Sequence, residues 1–90
     1  TDDFALQVRQ TIENIVAILA EGNAKPEHIV RMTWYVKNKR EYVECYRAIG
    51  EHYRAVIGRH FPAMTAVEVA DLVEDEAKVE IEVTAVVPAA

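Results

Sequence analysis

From Lys78 to Ala85 the chain alternates polar and apolar residues without a break. Val79, Ile81, Val83 and Ala85, continued by Val87, share one parity; Lys78, Glu80, Glu82 and Thr84 share the other. A period of two fits a strand and no helix. Such a strand must lay its apolar side on another layer, so the rest of the chain has to supply both ladder partners and a covering element. Pro88 stops the run.

Two more tracts alternate. In Ile29–Lys37, Val30, Met32, Trp34 and Val36 form one set, and Ile29, Arg31, Thr33, Tyr35 and Lys37 the other. Their β-branched and aromatic content predicts a strand. Met64–Ala70 predicts a third, with Thr65, Val67 and Val69 opposite Ala66, Glu68 and Ala70. Asp71–Ala77 between the last two strands reads as an acidic loop.

Elsewhere the period changes. Phe4, Val8, Ile12, Ile15 and Leu19 recur at steps of four and three, which predicts a helix from Asp3 to about Glu21. Asp2 or Asp3 can cap its start and Gly22-Asn23 its end. After a turn at Lys25-Pro26-Glu27, a second helix is predicted over Arg40–Ile57, with Tyr42, Cys45, Tyr46, Ile49, Tyr53 and Val56 on one stripe. Gly58 ends it, and Phe61-Pro62-Ala63 forms a short connector. The tyrosines of that stripe fit a helix lying on a sheet better than a cofactor site.

The order helix, strand, helix, strand, strand predicts a single α+β domain over residues 1–90, with two helices packed on one face of a mixed β-sheet. Three strands make a thin sheet, which an N-terminal strand pair or a neighbouring subunit would complete. Half of the residues, 51%, are hydrophobic, a surplus for so short a chain that association can bury. The net charge of −5 argues against nucleic-acid partners, which need clustered Lys and Arg. No run of roughly 18 or more apolar residues marks a membrane span. Thr1-Asp2-Asp3-Phe4 has neither the basic nor the apolar part of a secretory leader, and the single Cys45 suits a reducing compartment; a cytoplasmic location is the expectation.

Few residues carry chemistry. The chain has no serine, no GxGxxG and no Walker loop. Cys45 with His28, His52 or His60 is a formal nucleophile–base set, although its stripe position favours a buried structural thiol. The histidines have no metal-ligand spacing, so no metal is expected. Glu68, Glu80 and Glu82 sit on strands at polar parities. A sheet face with three carboxylates is either solvated or lines a polar cleft, where a carboxylate can orient or deprotonate water.

The tract Phe61-Pro62-Ala63-Met64-Thr65-Ala66-Val67-Glu68-Val69-Ala70, followed by Val79-Glu80-Ile81-Glu82, resembles the closing signature of the RidA/YjgF family. Gln10, Glu13-Asn14-Ile15 and Val30-Arg31-Met32-Thr33-Trp34-Tyr35-Val36 extend the resemblance over nearly the whole chain. It implies a chorismate-mutase-like (RidA-type) fold, a homotrimer with ligand clefts between subunits, and an N-terminal strand segment that this chain lacks. It also implies hydrolysis of reactive imines or enamines to keto acids and ammonia, without metal or cofactor. Glu80 matches the glutamate taken to hold the attacking water. Met64 stands where the family carries a carboxylate-gripping arginine, and Tyr46 where its second helix commonly carries an asparagine. Met64, Thr65, Ala66 and Tyr46 would then line the small-molecule cleft. Loss of the arginine removes a charge-assisted bond worth about 1.5–3 kcal/mol to a carboxylate. The expectation is an imine-hydrolase-type trimer with an altered grip; the alternative is a non-catalytic ligand-binding or regulatory trimer.

Overall fold

The computed structural model of the protein describes residues 1–89. The chain runs α1 (Phe4–Glu21), one 3-10 turn (Pro26–His28), β1 (Ile29–Val36), α2 (Lys39–Glu44), α3 (Tyr46–Val56), β2 (Ala63–Glu68) and β3 (Val79–Ala85). β1 is the middle strand, paired in parallel with β2 and antiparallel with β3. The sheet is therefore mixed. One core joins Phe4, Val8 and Ile12 of α1, Ile49 and Tyr53 of α3, Met32, Trp34 and Val36 of β1, and Val79 of β3. The helices thus share one face of the sheet, as the α+β pattern predicts.

α1 starts and stops on named bonds. The Asp3 carboxylate accepts the Leu6 N–H at 3.0 Å, a cap worth about 1 kcal/mol. At the other end Asn23, at φ 60°, takes the left-handed conformation. The N–H groups of Asn23 and Ala24 then return to the carbonyls of Ala20 and Leu19 at 3.0 and 2.9 Å. This pair of bonds is the Schellman motif, with asparagine rather than glycine at its left-handed position. The inward stripe continues from Ile12 to Val16, not to the expected Ile15. A step of four departs from the helix face by about 40°, a step of three by about 60°.

The expected parity of β1 fails at its first residues. Ile29 is 1% exposed, whereas Val30 is 49% exposed. Ile29 lies opposite Ala85 and Arg31 opposite Thr84, so two steps of β1 match one step of β3. That is a β-bulge, and its extra residue throws Val30 outward while Ile29 joins the core.

The second predicted helix is two helices. Cys45, at φ −97° and ψ 7°, interrupts it and separates α2 from α3. α2 buries no residue, whereas α3 buries Ile49 and Tyr53. Two side chains hold the start of α2. Asn38 Oδ1 accepts the Glu41 N–H at 3.0 Å, and Glu68 Oε1 accepts the Lys39 N–H at 2.8 Å. Lys78 Nζ meets Glu41 at 3.1 Å and ties α2 to the approach to β3.

β2 begins and ends earlier than the expected Met64–Ala70, and all six of its residues are exposed. The acidic loop behind it is pinned by Lys37, whose Nζ lies 3.1 Å from Asp71 Oδ1 and donates to the Asp75 carbonyl at 3.1 Å. The Leu72 N–H, followed by Lys37, holds the Asp71 carboxyl below the usual carboxylate range.

Met32 is fully buried at the centre of the middle strand. Met32→Ala is expected to lower unfolding stability by about 2–5 kcal/mol, measured by urea denaturation.

Candidate functional site

Strand register sorts the sheet residues into two faces. On the face away from the helices, Val67, Tyr35 and Glu80 form one cross-strand row, and Thr65, Thr33 and Glu82 the next. On the helix-covered face the rows are Met64–Met32–Val83, Ala66–Trp34–Ile81 and Glu68–Val36–Val79. Glu80 and Glu82 are both exposed and share the open face as expected. Glu68 does not join them. It lies on the helix side, where it caps α2. The parity of an isolated strand cannot say which of its sides meets a helix; pairing with β1 decides it.

Glu80 borders an open hollow of about 450 Å³ with Glu82, Tyr35, Glu74 and Thr11. Met64 and Tyr46 instead line a second cleft of about 160 Å³ between α3 and β2, walled by Trp34, Tyr53 and Phe61. Tyr46 also borders Ala66 in an adjoining hollow of about 230 Å³. Within one chain, then, Met64, Ala66 and Tyr46 come together, while Thr65 and Glu80 lie on the opposite face. Glu80 is also on the opposite outer strand.

Aromatic contacts build the second cleft. Tyr42 meets Phe4, Trp34 and Tyr46 edge-on, at centroid distances of 6.3, 6.2 and 5.1 Å. Tyr53 stacks on Phe61 at 5.4 Å and 15°. Its hydroxyl donates to the His60 carbonyl at 2.6 Å, tying α3 to the connector before β2. Burial raises the Tyr53 hydroxyl's pKa; burial and then Tyr46 raise that of Tyr42, so both phenols stay neutral donors at neutral pH. Two cleft residues escaped the reading of the sequence, Trp34 as a donor and Arg54. The i,i+4 spacing of Gly50 and Arg54, which leaves a gap beneath a long cation, was the available signal.

The cysteine–histidine set does not assemble. His28 Nδ1 accepts the Lys25 N–H at 3.0 Å, His52 Nδ1 lies 3.4 Å from an Arg9 guanidinium nitrogen, and His60 Nε2 donates to the Ile29 carbonyl at 2.7 Å. Cys45 sits half-buried against the core at the helix break rather than fully buried. Burial first, then Glu41, Asp3 and Glu44, push its thiol pKa up. Among the described residues no group of His, Cys, Asp or Glu has the arrangement to hold a metal ion. No helix among them is long and apolar enough to cross a membrane.

A mixed three-stranded sheet with helices on one face, a carboxylate-bearing open face and an aromatic cleft at one edge defines the class. The family described as endoribonuclease L-PSP matches residues 1–87, and the chain belongs to that family, which is the RidA/YjgF family its strand tracts resemble. The 2-iminobutanoate/2-iminopropanoate deaminase of Salmonella typhimurium is 36% identical over 88 residues, covering 94% of this chain and 65% of that protein. The Escherichia coli protein of the same name is 37% identical over 87 residues, covering 93% and 64%. The chain therefore spans a little under two thirds of the length of these relatives. Among solved structures, a YjgF-family member from Mycobacterium tuberculosis superimposes with a TM-score of 0.80 at 31% identity, over 97% of this chain and 70% of that one. The Escherichia coli YjgF gene product gives 0.76 at 37% identity, over 93% and 65%.

A thiol with a raised pKa carries little thiolate at neutral pH. Cys45 is expected to react with iodoacetamide more slowly than free cysteine at pH 7, followed by intact-mass spectrometry; faster labelling would return Cys45 to the list of nucleophiles.

Proposed function

We propose that this chain acts as an imine- or enamine-hydrolysing homotrimer whose clefts lie between subunits, with Glu80 holding the attacking water. The observation that carries this reading is the separation of Met64 from Glu80. In one chain they lie on opposite faces and opposite outer strands. A cleft containing both has to be assembled from two copies. The exposure of every residue of β2, including Ala63, Met64, Ala66 and Val67, supports such a contact, since an apolar edge strand calls for cover.

The chemistry asks little of the protein. Water adds to the C=N carbon and gives up a proton to the Glu80 carboxylate; the nitrogen, protonated in turn, leaves as ammonia and a carbonyl remains. Glu80 stands exposed on a strand, so a water can reach it, and its row neighbour Tyr35 adds a phenol to the same face. The deaminase names of the relatives support the reaction class. The net charge of −5 and the carboxylates of the open face oppose the polyanionic substrate that the family description suggests. Met64 favours a second reading, a ligand-binding trimer without turnover, because methionine offers a carboxylate neither charge nor donor.

Ammonia release from small imines, coupled to glutamate dehydrogenase, is expected for the wild type. Glu80→Gln is expected to lower it by at least about a hundredfold. Wild-type protein that binds but releases no ammonia would establish the second reading. Light scattering at micromolar concentration is expected to give three times the 10.2 kDa chain mass; a monomer would remove the intersubunit cleft.

A further inference from the structure

The aromatic cleft is bordered by an arginine that pairs with no carboxylate among the described residues and by a tryptophan whose indole N–H is buried and has no partner among them. Arg54 lies one turn beyond Gly50 on α3. Its Nη1 is 3.3 Å from where a β-carbon at position 50 would stand, so the absent side chain leaves room for the guanidinium against the helix. No carboxylate among the described residues pairs with Arg54. Trp34 is 3% exposed, and its indole N–H is the buried side-chain polar group left without a partner among the described residues.

Both residues line the same cleft, which within one chain no Asp or Glu among the described residues borders. Its volume of about 160 Å³ is close to that of a cavity that takes up benzene, about 150 Å³. The remaining side-chain walls are tyrosines, Phe61, Ile49 and the Met64 thioether, surfaces that favour a ring. The combination is a ring-sized apolar slot with a planar cation on its wall.

We propose that this cleft binds a small carboxylate with a ring-sized apolar body, and that Arg54 receives the carboxylate. The anion-gripping role thereby moves from the strand position, held by Met64, to a helix position on another wall of the same cleft. Met64 becomes part of the apolar seat instead of a defect in the site. The proposal deepens the reading above by naming the substrate class, and it rests on that reading only in treating this cleft as the substrate's.

The test is equilibrium binding of 3-phenylpropionate and of the uncharged 3-phenylpropan-1-ol to the full chain, by calorimetry and by quenching of Trp34, the sole tryptophan. The acid is expected to bind at least about tenfold tighter than the alcohol, and to change Trp34 emission. Arg54→Gln is expected to erase that preference while leaving the alcohol's affinity unchanged. Equal binding of acid and alcohol by the wild type, an undiminished preference in Arg54→Gln, or no change in Trp34 emission would each overturn the proposal. Because Arg54 is exposed, its replacement does not disturb the core. The measurement reads equilibrium binding and needs no turnover. Failure of hydrolysis and failure of the anion site are therefore read separately.

Discussion

The structure depends on β1 being shared between two ladders. Its backbone pairs with β2 on one side and β3 on the other, and its inward side chains meet both α1 and α3. Among the described residues no other strand has two partners. Met32, Trp34 and Val36 therefore link every layer, while β2 is held by one ladder and β3 by a ladder, buried Val79 and half-buried Ile81 and Val83. A sheet this narrow leaves two long outer edges with free backbone groups.

That arrangement sets the terms for any chemistry. Side chains on a strand alternate faces, so each outer strand offers one set of groups to the helices and another to the open side. Glu80 falls on the open side of β3, and Met64 on the helix side of β2. No loop or rotamer change within the chain can bring them together, because the whole of β1 lies between.

The aromatic cleft follows from the break at Cys45. An uninterrupted helix would keep one stripe in a single line, whereas the break lets α2 stay at the surface and α3 turn Ile49 and Tyr53 inward. Tyr42 and Tyr46, one on each side of the break, then pack edge to face. Tyr53 reaches the connector and stacks on Phe61, which fixes the far wall. The cleft is thus a seam between elements, walled by side chains from β1, α2, α3, the connector and β2.

Much of the fold was legible along the chain because it rests on local periodicity. The alternation of Val79–Ala85, the stripe of α1, the Asp3 cap and the order of helices and strands each follow from residues close in sequence. The tract Phe61–Pro88, read as a pattern, also placed the chain in its family. What sequence could not decide were the relations set by ladders and by packing. The bulge at Val30 exists only as a register against β3, and the face taken by Glu68 only through pairing with β1. The separation of Glu80 from Met64 and the gathering of Trp34 and Arg54 around one cleft are likewise products of tertiary geometry. Periodicity is a property of one segment; a site is a property of segments brought together, and the hydrogen bonds and core contacts that do so are made between residues far apart in the chain.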